Sequence, residues 1–576
     1  MYTIAINAQI VIALLKQHDI RHIVISPGAT NIPIVQGVQN DPFFKCYSII
    51  DERSAMYFAI GLYLELGVPI ATSCTSAQAT RNYIPGLTEA FYKHVPILAI
   101  TASKHPRFTY QEYMQAPDQI SLPADAVKHT YNLPYITDHH DKLHCIRLVN
   151  EAILEVMHRV PGPVQLNVPV LDSEARKFSD SQLPIVRTIK RYMVWEDWNI
   201  SLIDKKIMIV IGEHRPFTKK QIFILESFTD SHNVFVYVNH LSNYHGKYAV
   251  SSNLALACIS NDNFAKYCKP DILITIGGQT GDYPLYTNLS SGEMFDFEHW
   301  RVSEDGNIVD TYDKLTKVFE CPFEIFFSRL TDKKAANHTY YEMWNNLNSK
   351  TVIPSNLLFS NAYLAQQLHN IIPNNSYLNL AILNSLRVWS FFPLHSSIIC
   401  YSNVAAFGID VCMSVLLGQS VVTDNLCFMV IGDLAFFYDM NSLGIRHLKN
   451  NIRILLVNNG CGAEFKLSQI GVETDSYIAA AGHNGNAKGW AVENGFKYIT
   501  AKSKEEFNQF KNEFVSESDQ SIIYEVFTTA ENESDVLKYI LNNNQSNSVK
   551  GALKNKLRSV IGNEKIDIMK SFINKK

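Results

Sequence analysis

Short runs of β-branched and aliphatic residues alternate with amphipathic stretches along most of this chain. Residues 22–28 (HIVISPG), 45–51 (KCYSIID), 68–74 (VPIATSC) and 95–101 (VPILAIT) read as buried strands, each ending on small or polar residues. Between them, residues 52–67 (ERSAMYFAIGLYLELG) and 81–94 (RNYIPGLTEAFYKH) carry apolar side chains at helical spacing. Residues 162–170 (GPVQLNVPV) form the last strand of this set, and the polar, irregular stretch 171–190 reads as a linker. A second set of strands is predicted at 206–214, 233–240 and 271–279, and it ends near residue 330. The charged segment 331–356 leads into a third set, at 374–383, 425–433, 452–459 and 521–527. Strands alternating with helices predict an α/β fold with parallel sheets covered on both faces. The pattern divides into three doubly wound domains, 1–178, 193–345 and 355–540, each of ordinary domain size.

Composition narrows the classes. With 47% hydrophobic and 18% charged residues, the 576-residue chain is neither disordered nor fibrous. A net charge of −4 gives no bulk attraction for nucleic acid. No apolar run reaches the length of a membrane span, and the first twenty residues are interrupted by polar ones, unlike a signal peptide. Ten cysteines without a CxxC pair fit neither a zinc ribbon nor a secreted disulfide framework, so the expected location is cytoplasmic. The tail, 546–576, is different: eight Lys or Arg stand against Glu564 and Asp567, with apolar residues at helical spacing. It reads either as a helix packed on its own protein or as a basic amphipathic helix making peripheral contact with an anionic membrane.

The strongest chemical signal is the run NLCFMVIGDLAFFYDMNSLGIRHLKNNIRILLVNNGCG. One apolar strand runs into Gly432-Asp433 and the next into Asn458-Asn459, so Asp433 and Asn459, 26 positions apart, stand at strand carboxyl ends, where open α/β sheets bind ligands. A carboxylate and an amide oxygen suit Mg²⁺ carrying a diphosphate. Taken alone, the two residues read equally well as helix caps.

This spacing resembles the diphosphate–Mg²⁺ motif of thiamine-diphosphate enzymes, with Leu434 where that family usually has glycine. SIIDERSAMYFAIGLYLELG matches it independently, with Glu52 just after a strand. The order of SPGATNIPI, CTSAQATRNYIPGLTEAFYKHVPILAITA, QAPDQ, ILNSLRV, SNVAAFGID and VNNGCGAEF is similar to one branch: 2-succinyl-5-enolpyruvyl-6-hydroxy-3-cyclohexene-1-carboxylate synthase of the menaquinone pathway, a relative of acetolactate synthase. The resemblance spans about residues 1–540. It implies a pyrimidine-binding, a central and a diphosphate-binding domain, with thiamine diphosphate and Mg²⁺ as cofactors. Glu52 would bond N1′ of the aminopyrimidine, and burial there would raise its pKa. Asp433, Asn459 and the Cys461 carbonyl would hold Mg²⁺. Gly432, Leu434 and Ile409 would contact the cofactor, Ile409 from beneath, and Gln115 and Phe465 would face the reacting carbon. The implied activity is decarboxylation of a 2-oxo acid, with ligation of the resulting enamine to an acceptor, in a homodimer or homotetramer.

Asn31, Gln78, Arg81, Lys104, Arg387 and Trp389 are the substrate candidates. Where the branch has arginines that grip anionic substrates, this chain has Thr30, Trp389 and Val404, and Lys104 replaces a fourth. The expectation is therefore a substrate pair other than that of the menaquinone enzyme. Simple 2-oxo acid decarboxylation, the menaquinone-pathway synthase itself and a catalytically idle binding protein are the alternatives. IGGQTGD, with Gly277, Gly278 and Gly281 after a strand, suggests a nucleotide site in the central domain but lacks G-x-G-x-x-G spacing.

Overall fold

The computed structural model describes residues 1–180, 182–334, 336–467 and 474–545. The basic tail lies outside the described residues. The chain divides into two compact units: residues 1–193 with 306–318, and residues 194–305 with those from 319 onward.

In the first unit six parallel strands lie side by side in the order Lys45–Ser48, His22–Ile25, Ile70–Cys74, Ile97–Lys104, Val164–Val170 and Thr130–Asn132. Three of the four inner strands are buried along their whole length and the fourth, Ile97–Lys104, up to its last residue, as expected for a sheet covered on both faces. The helix Glu52–Leu66 starts where the Asp51 carboxylate accepts the Arg53 N–H and stops at Gly67, whose φ of 67° suits a residue without Cβ. The stretch predicted as one helix over 81–94 is two, Gln78–Asn82 and Ile84–Tyr92, because Pro85 belongs in a first turn and breaks a continuous helix. The linker 171–190 includes a short strand, Phe178–Asp180, paired antiparallel with Tyr2–Thr3.

Residues 306–318 return to this unit through a buried ion pair that sequence reasoning did not anticipate. Arg187 Nη2 lies 2.5 Å from Asp310 Oδ2, and Arg187 Nη1 donates to the Leu315 carbonyl. Both side chains are enclosed, 1% and 0% exposed. Beside them Ile189, Leu315 and Val318 form a small apolar cluster with Leu154 and Ile308.

The second unit contains two more sets of parallel strands. One runs Ala249–Val250, Val234–Tyr237, Ile207–Ile211, Ile272–Ile276, Glu298–Val302. The other runs Ile399–Tyr401, Tyr377–Leu380, Cys427–Gly432, Ile452–Asn458, Ile522–Phe527, Lys497–Ala501. Asn243 and Cys400 join the two sets: the asparagine amide donates to the Cys400 carbonyl at 2.9 Å and accepts the Cys400 N–H at 2.8 Å. The charged segment 331–356 is partly a helix, Thr339–Asn348. It is anchored by Trp344, stacked on Phe235 at 4.6 Å, and by Tyr340, whose hydroxyl donates to the Cys268 carbonyl. None of the ten cysteines is in a disulfide, and among the described residues no helix is long and apolar enough to cross a membrane.

Removing one partner of the enclosed pair strands the other charge, so Asp310→Ala should destabilise the protein by about 3–5 kcal/mol. Replacing both, Arg187→Met with Asp310→Leu, should restore most of that. Urea midpoints followed by circular dichroism check both; an unchanged midpoint in Asp310→Ala would refute the assignment.

Candidate functional site

In the first unit a buried polar network runs between adjacent strands and the loop beside them. Gln165 donates to Thr101 Oγ1 at 3.0 Å and to the Gln119 carbonyl at 2.9 Å, while Gln119 donates to Asn167 at 2.9 Å and to the Ala102 carbonyl at 3.0 Å. All of these side chains are buried, so each bond replaces one otherwise made to water. The only sequence signal for them is a pair of polar residues, Gln165 and Asn167, inside an apolar strand. Gln119 also accepts the Ala77 N–H at 3.0 Å and so ties the start of the helix carrying Gln78 and Arg81 to the loop carrying Gln115. That loop holds Tyr110, Glu112 and Gln115 at φ of 63°, 53° and 59°. Each non-glycine residue in this region costs about 1 kcal/mol or more, strain that tends to collect at functional sites.

Glu52 opens its helix and is only half-buried in the single chain. Asn82, which sequence reasoning did not single out, donates to Glu52 Oε2 at 3.1 Å. Gln78 and Gln115 are exposed, and Arg81 donates to the Asp118 carbonyl at 2.9 Å. Lys104 pairs with Asp172, which also accepts the Tyr113 hydroxyl at 3.2 Å. Asn31 is fully buried, and its amide donates to the Ser26 carbonyl and to Ser73 Oγ.

In the second unit the strand Cys427–Gly432 turns at Gly432 into the helix Asp433–Asp439. The Asp433 carboxylate, 2% exposed, is gripped by backbone. Its Oδ2 accepts from Asn459 N at 2.9 Å and Gly460 N at 2.8 Å, and its Oδ1 from Leu434 N at 2.7 Å. Burial pushes its pKa up, against the pull of these N–H groups and of His483. His483 Nε2 is buried without a well-aligned hydrogen bond and lies 3.3 Å from Oδ2. Glycine-rich surroundings gave no sign of this histidine. Asn459 Oδ1 accepts the Cys461 N–H at 3.3 Å. Ile409 packs against the apolar clusters on both sides of this sheet, and Phe465 lies half-buried in the turn Ala463–Lys466.

These residues fit a divalent cation and its diphosphate. A buried carboxylate with no fixed cation calls for one, and Asp433, the Asn459 amide and the Cys461 carbonyl offer hard oxygen ligands of the kind Mg²⁺ takes. Burial raises the Cys461 thiol above its usual pKa, which makes it a poor ligand through sulfur. Among the described residues no group of three or more His, Cys, Asp and Glu is placed to hold a metal, as expected of a set that mixes side-chain and backbone oxygens.

The remaining candidates are engaged within the protein. Arg387 donates to both oxygens of Glu464, at 3.0 and 2.6 Å. Trp389 is 1% exposed, and its Nε1 donates to Asn361 at 3.1 Å. Two of the glycines of IGGQTGD have a local explanation. Gly277 and Gly281 have φ of 76° and 65°, and a Cβ on Gly281 would lie 2.6 Å from a Leu386 methyl.

A profile of the thiamine pyrophosphate enzyme N-terminal TPP binding domain matches residues 7–122. Over most of its length the chain is similar to proteins named 2-succinyl-5-enolpyruvyl-6-hydroxy-3-cyclohexene-1-carboxylate synthase. That of Bacteroides thetaiotaomicron is 34% identical, covering 93% of this chain and 98% of its own length. That of Phocaeicola vulgatus is 35% identical with the same coverage, and that of Flavobacterium psychrophilum 29%.

Asp433→Ala should weaken thiamine diphosphate binding in the presence of Mg²⁺ by more than the roughly 10–100-fold that loss of an outer-shell partner costs. Unchanged affinity by calorimetric titration would remove Asp433 from the metal set.

Proposed function

We propose a specific activity for a chain that belongs to the 2-succinyl-5-enolpyruvyl-6-hydroxy-3-cyclohexene-1-carboxylate synthase family, and so is a thiamine-diphosphate-dependent decarboxylase or carboligase. The activity is the synthase reaction of the menaquinone pathway: loss of CO₂ from a 2-oxo acid and ligation of the remaining fragment to a cyclohexadiene acceptor. The observation that carries it is coverage, since relatives named for this reaction align along 93% of the chain, through both units.

Bound thiamine diphosphate supplies the sink for the electron pair left by the departing carboxylate. Asp433, Asn459 and the Cys461 carbonyl hold Mg²⁺ against its diphosphate, with Gly432 and Leu434 lining that end. Ile409 and Phe465 supply apolar contact. Glu52 holds and moves a proton at its carboxylate, and the Asn82 amide keeps Oε2 oriented. Gln115 stands on the strained loop as a polar contact to the reacting groups. The domain boundaries 1–178, 193–345 and 355–540 belong to the same proposal.

A specific observation favours a second reading, with a different substrate pair. The cations that could replace the missing arginines are already neutralised or occupied: Arg387 by Glu464, Lys104 by Asp172, Arg81 by a carbonyl. Thr30, at an arginine position, is buried and within 3.1 Å of Ser76 Oγ. Incubation with 2-oxoglutarate and isochorismate separates the two. Formation of the succinylated cyclohexene product is expected, and turnover confined to other 2-oxo acids would replace the first reading with the second.

The protein acts as a dimer or tetramer in this proposal, with Glu52 of one chain and Asp433 of another completing each site. Support comes from apolar helix faces left open in the single chain. Tyr57, Phe58 and Leu64, the last 69% exposed, flank Gly61 on the Glu52 helix, and Val415 is exposed on the helix Cys412–Ser420, with exposed Val411 and Val422 just outside its two ends. Glu52→Gln should retain the cofactor but lose about two to four orders of magnitude in turnover. Coexpressed with Asp433→Ala, it should regain about a quarter of wild-type activity, because half the dimers then hold one intact site. No regain, or near-wild-type turnover by Glu52→Gln alone, would contradict the arrangement.

A further inference from the structure

The carboxylate of Glu525 lies deep in the second unit, fully enclosed, on the strand Ile522–Phe527 beside Leu456. Its bonding partners are three uncharged donors. Asn458 Nδ2 donates to Oε1 at 2.7 Å, and Ala487 N and the Tyr498 hydroxyl donate to Oε2 at 2.9 and 2.6 Å. Burial, then the bond to Glu525, drives the Tyr498 hydroxyl upward in pKa, so it stays a donor.

We infer that Glu525 is a positioning residue for the loop that carries Asn459 and Cys461, and acts through Asn458. A carboxylate only accepts, so it must face the NH₂ side of the Asn458 amide. The second hydrogen of that NH₂ goes to the Gly485 carbonyl at 2.9 Å. The amide then has one orientation, with Oδ1 toward Gly460 N at 3.2 Å, the same N–H that donates to Asp433. The bond to Ala487 acts on the other side of the site. It fixes the end of the 483–487 stretch, where His483 N donates to the Gly460 carbonyl at 2.8 Å and Gly485 N to His483 Nδ1 at 3.0 Å. Both segments that touch Asp433 are therefore held from one buried carboxylate.

The inference rests on Asp433, Asn459 and Cys461 being the metal ligands. The test is a Mg²⁺ titration of the full-length protein with thiamine diphosphate present, read by intrinsic fluorescence, beside melting curves without cofactors. In Glu525→Gln an amide NH₂ must face one of the three donors. Its apparent Mg²⁺ affinity should fall about 10–100-fold, while turnover at saturating Mg²⁺ and cofactor recovers to within about twofold of wild type. Asn458→Ser, which leaves Glu525 intact, should show the same fall and guards against a Glu525 variant that does not fold. Tyr498→Phe removes one of three bonds and should change affinity by less than about threefold. Wild-type Mg²⁺ affinity in folded Glu525→Gln or Asn458→Ser, or lost turnover that saturating Mg²⁺ does not restore, would overturn the inference. Wild-type protein that takes up no Mg²⁺ would overturn the ligand reading instead.

Discussion

A carboxylate enclosed at the end of a parallel sheet has to be held by something, and the second unit is organised around how Asp433 is held. Five atoms of other residues approach its two oxygens or the N–H groups that serve them: backbone nitrogens of Leu434, Asn459 and Gly460, the Asn458 amide and the His483 ring. Neutral donors lower the cost of burying a charge but do not cancel it, and burial still leaves the carboxyl with a raised pKa. A bound cation would complete the balance. The loops after two adjacent strands are thus shaped by one electrostatic requirement, and the apolar strands behind them supply the rigidity that keeps the donors aimed.

Rigidity comes from the sheets on which these loops stand. Strands buried on both faces leave no room for a register slip, since a one-residue step would turn every side chain into the packing of the opposite face. In the first unit the buried amides of Gln119, Gln165 and Asn167 extend that order beyond the sheet into the loop carrying Gln115. Because each is satisfied inside the protein, the network specifies one arrangement. The strained backbone at Gln115 is held by this frame, and its own side chain remains exposed.

Charge inside the molecule bears on specificity. Family membership carries the chemistry, but substrate choice depends on which cations remain free to meet an anionic group. A bidentate arginine–carboxylate pair satisfies the geometry a substrate carboxylate would otherwise use. With side chains 13% and 19% exposed, Arg387 and Glu464 are screened little by water, so their pairing is stronger than a surface bridge. In the first unit Lys104 is also paired, but its partner Asp172 is 54% exposed and water screens that bridge more.

Local sequence was enough to reveal most of the sheet strands and the family. Apolar runs such as IMIVI and IRILLVN admit little besides buried strands, and Asp433 and Asn459 stand immediately after such runs. The strand before Glu52, Lys45–Ser48, reads as buried from its sequence but is an edge strand and mostly exposed. Pro85 broke a predicted helix for a reason already present in its ring. Other features depended on partners far away in the chain. Arg387 and Glu464 are 77 residues apart, Arg187 and Asp310 123, and Asn458 and Glu525 67. Nothing in the neighbourhood of any of these residues distinguishes a buried pair from a solvated charge. Trp389 and Asn31 occupy motif positions yet lie in the core, because a motif sets the place on the backbone while packing decides what a side chain meets. Burial and pairing are properties of the assembled fold, since only the fold excludes water and selects the donor that replaces it.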